Sequence, residues 1–542
     1  MGHLGSRGTA HRQNSEAKSP DAPNGPEFDG QGQPLSESII HYLVSKGANV
    51  NAQDMYGLAP LHYSAMRGND VAARELLDCR GINIEAVDKQ QMTALHLACT
   101  HGNTQVANIL IDAKANLRCT DEENGTPLHA AAMEGHLGIC KLLFNAAYQK
   151  DGWVTISQMV TDTDIEDNTA LHLAVDNGHI DVVKLCLEKK SDINTCKKNF
   201  STPLHSAAAS GNLDIVELLL QHNARIDALD ENQATPLHKA CAFNRSQVVE
   251  FLLSKRAKIE RRDQDNFTPL LIASCYGHSE TVKCLLDAGA DISKCDKNDK
   301  SAIYWCAEEG RQDALNVLLE DPLAKSLLED SDRYGNVPLH IAAQKGFVGI
   351  VKWIVRELVR RNKTIINDED ELSNSPLHLA SLEGHVRALQ ALIDSGADIQ
   401  ARNCNLWTPL DCAAAKGWMK SVQALLEADS PVDPTDKAKT TPLHLASKNG
   451  HVDVVGLLLD WHADLSLCDD TGSNCLDLAI DNNKKDVAMA IINHANWRRA
   501  MENAVSDPNN GYYLTPMRKL IRKMPDVAEK VLNRCTKQTI KL

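Results

Sequence analysis

The chain has 542 residues and a formal net charge of −15, with 43% hydrophobic and only 4% aromatic residues. This length exceeds what one hydrophobic core usually supports, so several folded units or a repeat array are expected. No run of about 18 apolar residues occurs, which argues against a membrane-spanning helix in this sequence. An acidic chain lacks the clustered cations that phosphates require, so we expect no nucleic-acid partner. The 16 cysteines include no CxxC pair and no apolar leader precedes them, so we expect reduced thiols in the cytoplasm.

The N-terminal segment differs from the rest of the chain in composition. Residues 1–34 are polar and rich in Gly and Pro, a composition that buries too little apolar surface to fold, so we expect a disordered tail. Residues 35–57 contain the apolar stretch IIHYLVS, followed by Gly47. A helix that stops at a glycine is typical of the second half of a helical repeat, so we expect a partial repeat there.

One short phrase, Thr-Pro-Leu-His or a close variant, occurs 13 times between residues 58 and 495. When its fourth residue is taken as a marker, eight of the 12 successive intervals are 33 residues long. A 33-residue period with this phrase resembles the ankyrin repeat. We therefore expect an all-α repeat solenoid, an ankyrin-repeat superhelix with short β-hairpin loops, containing about thirteen repeats over 58–495.

The phrase has the properties of a helix start. Thr202 is a favourable N-cap residue, and Pro203 suits the first helical position, where its missing N–H has no partner to lose. Gly211 then ends the first helix, and the stretch LDIVELLL supplies a second helix with one apolar face. A single unit of this kind cannot bury that face, so successive copies must stack.

Three intervals are longer than the others, and they place insertions near 144–167, 321–336 and 360–374. Insertions in repeat proteins often lie on the face that binds partners. Tolerated changes in length explain them equally well, and we favour that explanation for the two smaller insertions.

Nine of the 13 markers are histidines: His62, His96, His129, His172, His205, His238, His340, His378 and His444. Successive markers lie one helix layer apart, roughly 10 Å, whereas zinc ligands lie about 2 Å from one ion. We therefore expect a structural role, in which each histidine bonds to the backbone at a helix start. We expect no metal and no cofactor. The chain has no P-loop, GxSxG, kinase or HExxH motif, so we expect no enzyme activity.

Residues 496–542 depart from the repeat and form a basic closing segment. From Arg498 onward the segment holds ten Lys/Arg and four Asp/Glu. Thr515 and Pro516 begin a helix in the manner of the repeats, and Pro525 opens a second helix. The candidate basic surface consists of Arg498, Arg499, Arg518, Lys519, Arg522 and Lys523. It is either the solvated cap that a terminal repeat needs or a docking surface for acidic lipid headgroups or cytosolic proteins.

Two non-repeat stretches carry a more specific resemblance. The closing segment reads NWRRAM and then TPMRKLIRKMPDVAEKVLNRC, and the largest insertion reads NAAYQKDGWVTISQMVTDTDIED. Both resemble transient receptor potential cation channels of the ankyrin subtype, the insertion particularly their invertebrate members. The resemblance extends from about Ser36 to Cys535, and it implies that 496–542 closes the array and begins a membrane-proximal linker.

The resemblance also implies a function and a set of partners. Such channels are homotetrameric, calcium-permeable and non-selective, and temperature or chemical stimuli open them. Their N-terminal ankyrin region is cytoplasmic, and its partners are the pore-forming region and the other subunits. Electrophile-sensing members use cysteines in this linker. Thr515 stands where one of these is expected, which leaves Cys535 as the candidate reactive thiol.

Two hypotheses follow from the sequence. The first is the cytoplasmic sensor and coupling region of such a channel, at the cytoplasmic face of the plasma membrane in the full-length parent. Because this sequence contains no pore, we expect it not to conduct ions by itself. The alternative is a self-standing ankyrin-repeat scaffold or adaptor that binds protein partners through its concave face. The basic closing segment favours the first hypothesis, because a free-standing adaptor has no evident need for it.

Overall fold

The computed structural model describes residues 39–360, 365–506 and 513–539. The predicted disordered tail, residues 1–34, lies outside them, as does part of the predicted insertion near 360–374. The secondary structure consists almost entirely of helices joined by short turns, which confirms the predicted all-α repeat fold. No helix in the described ranges is both long enough and apolar enough to cross a bilayer.

The chain divides into two compact units, Met1–Ile165 and Glu166–Leu542. The described part of the first unit contains one unpaired helix, three helix pairs and an additional helix. In chain order these are α1 Ile39–Ser45, α2 Pro60–Arg67, α3 Asp70–Asp78, α4 Ala94–Thr100, α5 Thr104–Asp112, α6 Pro127–Met133, α7 Leu137–Asp151 and α8 Trp153–Thr161.

The described part of the second unit contains ten helix pairs followed by a closing unit. The pairs are α9 Ala170–Asp176, α10 Ile180–Glu188, α11 Pro203–Ser210, α12 Leu213–Gln221, α13 Pro236–Ala242, α14 Ser246–Ser254, α15 Pro269–Tyr276, α16 Ser279–Asp287, α17 Ala302–Glu309, α18 Gln312–Leu318, α19 Pro338–Lys345, α20 Val348–Arg360, α21 Pro376–Glu383, α22 Val386–Ile393, α23 Pro409–Lys416, α24 Met419–Glu427, α25 Pro442–Asn449, α26 Val452–Asp460, α27 Cys475–Asp481 and α28 Lys485–Asn493. The closing unit consists of α29 Trp497–Met501, β1 Val505–Ser506, β2 Tyr513–Leu514, α30 Pro516–Lys523 and α31 Pro525–Thr539.

The first helix of each pair begins and ends where the sequence chemistry predicts. Helix α11 begins at Pro203, and Thr202 before it has the extended backbone of an N-cap residue, with φ −90° and ψ 164°. Gly211 ends the helix at φ +85°, a region that other residues rarely adopt. A Cβ atom at this position would also lie 2.5 Å from Cδ of Arg245 in the next repeat. Glycine is therefore favoured by the backbone and by the close approach of the neighbouring repeat, although Asn244 takes the same position of the next repeat at φ +55°.

Within each compact unit, stacking of the helix pairs forms an apolar core. In the pair α11–α12, the buried apolar side chains include Leu204 and Ala207 on the first helix and Ile215, Val216 and Leu219 on the second. Each large aliphatic side chain removed from water contributes roughly 1.5–3 kcal/mol. The alanine lets neighbouring first helices approach closely. No single pair could bury these faces alone, so each repeat depends on its neighbours.

The loops between repeats are joined to one another through the backbone. Within one loop, Asp230 Oδ1 accepts hydrogen bonds from the N–H groups of Asn232 and Ala234 at 2.9 Å each. Between loops, the N–H of Glu231 donates to the carbonyl of Asn199 in the preceding loop at 2.9 Å. Equivalent bonds recur at every repeat of the second unit, from Lys198 to Asp470. These loops are turns, and in the described residues the only paired strands are β1 and β2 of the closing unit.

The predicted insertions become helical extensions and short turns. The largest lengthens α7 to 15 residues and adds α8, which buries Ile156 and Met159. The other two form 3₁₀ turns at Ser326–Glu329 and Ile365–Asn367. Leu328 and Ile365 are buried in these turns, so both smaller insertions pack against the core.

Candidate functional site

The closing unit is fastened to the last regular repeat by a cluster of ion pairs. Lys519 Nζ on α30 lies 2.9 Å from Asp477 Oδ1 and 2.9 Å from Asp481 Oδ2, both on α27. Lys523 Nζ, one turn further along α30, lies 2.8 Å from the second oxygen of Asp481. Asp477 and Lys519 are buried, so solvent and salt screen their interaction little.

Burial and the ion pairs have opposite effects on the pKa values of Lys519 and Asp481. Burial tends to lower the pKa of Lys519, but hydrogen bonds to Asp477 and Asp481 outweigh it, and the pKa is raised above its ordinary value. Burial tends to raise the pKa of Asp481, but hydrogen bonds from Lys523 and Lys519 outweigh it, and the pKa is lowered. Lys519 and Asp481 therefore remain charged at neutral pH, and the cluster holds together as an ionic contact.

Asp477 stands at the marker position, where most repeats have histidine. Its backbone N–H donates to Oδ1 of the N-cap residue Asn474 at 2.9 Å. Its Oδ2 accepts a hydrogen bond from Asn503 Nδ2 at 2.6 Å, and Asn503 also donates to the carbonyl of Gly472 at 2.8 Å. A carboxylate at this position thus accepts from two residues that follow the last regular repeat, Asn503 and Lys519.

The six candidate basic residues divide into two groups. Lys519 does not belong to the predicted surface, because its side chain is buried against the two aspartates. Lys523 is partly exposed but engaged with Asp481. The four arginines, Arg498, Arg499, Arg518 and Arg522, are exposed, as is Lys530 on α31. Of the six candidates, Lys519 is therefore the one that lies in the packed contact with α27.

Cys535 lies at an apolar groove between the three helices of the closing unit. The groove has a volume of about 380 Å³ and is lined by Trp497, Arg498, Met501, Glu502, Met517, Val531, Leu532 and Cys535. The thiol-bearing residue is exposed. The structure thus places the candidate thiol beside one of the predicted basic residues, Arg498, and next to apolar side chains that the sequence reasoning did not connect with it.

Arg534 holds the last helix against the array. Its guanidinium donates to the carbonyls of Ile492 and His494, and its carbon Cζ lies 5.6 Å from the ring centroid of Trp497. A guanidinium over an indole ring is a favourable cation–π contact. These contacts fix α31 relative to α28 and α29, and so they define one wall of the groove.

The nine marker histidines all occupy the same position in their repeats. In each, Nδ1 accepts a hydrogen bond from the backbone N–H of the residue three positions earlier, at 3.0–3.2 Å. Since Nδ1 is an acceptor, the proton of the neutral ring is on Nε2. In seven of them Nε2 lies within 3.2 Å of a carbonyl further along the chain, and these are His62, His96, His172, His205, His238, His340 and His378. All nine rings therefore close a helix start, and these seven also connect it to the next repeat, whereas Nε2 of His444 is buried with no hydrogen-bond partner among the described residues.

Burial favours the neutral form of six of the nine rings. It lowers the pKa of His96, His205, His340, His378 and His444, and it lowers the pKa of His238 to about 4. The described part of the chain contains no group of three or more His, Cys, Asp or Glu side chains placed to hold a metal ion.

Asp411 is a second marker position without histidine, and its surroundings differ from those of Asp477. Its Oδ2 accepts hydrogen bonds from the N–H and the hydroxyl of Thr408, at 2.8 Å each. Its Oδ1 is buried and has no hydrogen-bond partner among the described residues. Burial raises the pKa of Asp411 to about 7. In the preceding repeat, by contrast, His378 Nε2 lies 2.9 Å from the carbonyl of Trp407.

Sequence reasoning did not identify the partners of the closing unit. Asp477, Asp481 and Asn503 were not among the predicted site residues, although the first two are central to the ion-pair cluster. One signal was available: Asp replaces His at the marker positions 411 and 477. The pairing of Asp477 with Lys519, 42 positions later, depends on the tertiary structure.

Comparisons with known protein families identify the repeats of this chain. A family model described as "Ankyrin repeats (3 copies)" matches at residues 33–121, 113–197, 186–263, 259–325, 321–403, 339–437 and 410–501. No curated protein matches the chain. Among solved structures, one similar chain is the ankyrin repeat domain of Bcl-3, described as a unique member of the IkappaB protein family. It is 27% identical over 43% of this chain and 99% of that chain, with a TM-score of 0.37.

Proposed function

This chain belongs to the ankyrin-repeat family, and from that premise we propose that it is the cytoplasmic sensor and coupling region of a cation channel. The parent would be a homotetrameric, calcium-permeable, non-selective channel of the transient receptor potential type, gated by temperature or chemical stimuli. In this role the array receives the stimulus or a partner and passes the resulting displacement to the pore-forming region and the other subunits. Ankyrin arrays in general provide surfaces for protein–protein interaction.

The observation that carries this proposal is the ion-pair cluster between the last repeat and the closing unit. Lys519 is held by two aspartates of α27 at 2.9 Å each, and one of the two carboxylates is fully buried. A terminal cap needs only a polar outer face for solubility. A buried ionic contact instead makes the position of α30 depend on the position of α27, as a coupling element requires.

The hydrogen bonds between loops support the same role. They recur at every repeat of the second unit up to Asp470, in the loop before α27. A repeat array in which each unit contacts only its neighbours transmits displacement stepwise along the stack. The chain from Glu166 onward therefore contains a continuous set of contacts that ends at the ion-pair cluster.

The first experiment is to determine the reading frame that follows Leu542 in the transcript. The channel proposal expects about six apolar segments of about 20 residues each, the length that spans a bilayer. Cells expressing that full reading frame should admit calcium on heating or on addition of an activating chemical. A stop codon directly after Leu542 in every transcript would rule out the channel and leave the scaffold.

The alternative function is a self-standing scaffold that binds a protein through its concave, first-helix face. It is favoured by two aromatic side chains at equivalent positions of adjacent repeats, Phe243 and Tyr276, which are 51% and 50% exposed. Aromatic residues are enriched among those that contribute most to binding at protein interfaces. If this function is correct, a partner identified with the wild-type chain should bind a Phe243→Ser/Tyr276→Ser chain at least tenfold more weakly.

A further inference from the structure

The groove of the closing unit is largely apolar and open to solvent. Trp497 and Met501 line it from α29, Met517 from α30, and Val531 and Leu532 from α31. Its volume of about 380 Å³ falls within the roughly 300–1,000 Å³ of small-molecule pockets. Leu532 is 54% exposed, so one wall of the groove presents apolar surface to water.

Helix α30 extends this apolar surface and places a basic row beside it. Ile521 is 57% exposed and lies four residues after Met517, so both project from the same face of the helix. Arg518 and Arg522 are also four residues apart, and they form the adjacent row. The outer surface of a terminal repeat is ordinarily polar. Here it combines apolar side chains with arginines.

Most of the positive charge on this surface is carried by arginine, although Lys523 and Lys530 are also exposed. The two lysines of α30 are engaged with aspartates of α27, as described above. The groove itself has Arg498 and Glu502 among its lining residues, and Arg499 on α29 is exposed and near enough to Asp464 to contribute to the lowered pKa of that carboxyl. A guanidinium group binds phosphate through two parallel hydrogen bonds, and it is more weakly hydrated than an ammonium group. This chemistry suits a phosphate that is attached to an apolar chain.

We propose that the groove, together with the exposed arginines of the two helices that line it, α29 and α30, is a docking site for an acidic phospholipid in a bilayer leaflet. An acyl chain would occupy the groove, and the phosphate headgroup would lie against the arginines. The surface extends beyond the groove to Arg499, Ile521 and Arg522, which is more than a single soluble fatty acid would cover. This inference goes beyond the proposed function and does not depend on it, since an adaptor could dock on a membrane in the same way.

Because the net charge of the chain is negative, we expect little non-specific binding to acidic vesicles. At −15, the protein as a whole is repelled by an acidic membrane, so binding to acidic vesicles requires a local site. The full chain is sedimented with vesicles of phosphatidylcholine alone or of phosphatidylcholine and phosphatidylserine at 7:3. We expect at least tenfold stronger partitioning to the acidic vesicles. Equal partitioning to both would overturn the proposal.

Matched variants distinguish binding at this site from a general effect of the positive charges of the protein. Arg499→Gln/Arg522→Gln should weaken binding to the acidic vesicles at least fivefold. Arg225→Gln/Arg256→Gln removes the same charge from exposed positions elsewhere in the array and should change binding less than twofold. Leu532→Ser alters an exposed groove residue without disturbing the core, and it should weaken binding at least threefold. Equal losses in both arginine pairs, or no loss with Leu532→Ser, would contradict the assigned site.

A second measurement requires no variant. Cys196, Cys404 and Cys535 are exposed, but only Cys535 lines the groove. Their rates of alkylation by a water-soluble maleimide are measured by peptide mass spectrometry, with and without the acidic vesicles. Labelling of Cys535 should slow at least fivefold, while Cys196 and Cys404 are unaffected. A uniform change at all three would refute the proposal, and equal protection by soluble dodecanoate without vesicles would replace the bilayer lipid by a free fatty acid.

Discussion

Lys519 Nζ lies 2.9 Å from Oδ1 of Asp477, a carboxylate with no exposed surface. This contact joins the closing unit to the last regular repeat at the position where other repeats use a histidine. Removing one partner of a buried ion pair is costly because the other charge is left without compensation.

The Lys519→Gln variant should release α30 and α31 from the array. We expect a local loss of about 3 kcal/mol, because Asp477 would remain buried without its cation. Hydrogen exchange of peptides covering α30 and α31 measures the effect directly. Lys523→Gln is the control: its partner Asp481 is partly exposed, and the loss should stay below about 1 kcal/mol. Equal loss of protection in the two variants would show that the buried pair has no special role.

Replacing aspartate by the usual histidine should have opposite effects at the two marker positions. At position 411 we expect the Asp411→His variant to be more stable by about 1 kcal/mol, because an imidazole can donate to the next repeat as His378 does to Trp407. At position 477 we expect the Asp477→His variant to be less stable by about 2 kcal/mol or more, because Lys519 loses its buried counterion. Urea unfolding followed by hydrogen exchange of each region compares the two. If both variants were more stable than the wild type, or both less stable, the assigned roles of Asp411 and Asp477 would be wrong.

The stability of the repeat that contains Asp411 should fall as the pH rises towards the folded-state pKa of this carboxyl group. The folded-state pKa of Asp411 is about 7, raised by burial from an ordinary value of 3.8. The contribution of Asp411 to the free energy of unfolding is therefore fully present below about pH 4 and is lost as the pH rises through about 7. Asp436 adds to the raised pKa, and Arg402 opposes it. The difference in stability between the wild type and Asp411→Asn, measured between pH 5 and 8, should fall with rising pH. An unchanged difference would mean that Asp411 does not titrate in this range.

A marker histidine should be far more important for stability than an exposed histidine that contacts only its own repeat. His205 accepts a hydrogen bond from Thr202 and lies 3.0 Å from the carbonyl of Ala234 in the next repeat. His205→Ala should cost about 2 kcal/mol, since two buried hydrogen bonds are lost. His222 contacts only a carbonyl of its own helix, at Leu218, and is exposed. His222→Ala should therefore change the urea midpoint very little, and a similar cost for both variants would contradict the assigned role.

Much of the repeat architecture was predictable from the sequence because it is local. Thr202, Pro203 and Gly211 determine where a helix begins and ends through backbone geometry and capping, which require only neighbouring residues. The 33-residue period then implies stacking, since no repeat can bury its apolar face alone. The helical starts at Pro516 and Pro525 in the closing segment followed from the same local rules.

The arrangement of the closing unit was decided by tertiary structure. Arg518, Lys519, Arg522 and Lys523 form one basic run in the sequence, but their directions around α30 differ. The packing of α30 against α27 turned Lys519 towards the buried carboxylate of Asp477 and Lys523 towards the partly exposed carboxylate of Asp481, and it left the arginines at the surface. The groove beside Cys535 likewise depends on how three helices meet. Ion pairing and cavity formation join residues that are distant in sequence, and for that reason a local sequence pattern could not reveal them.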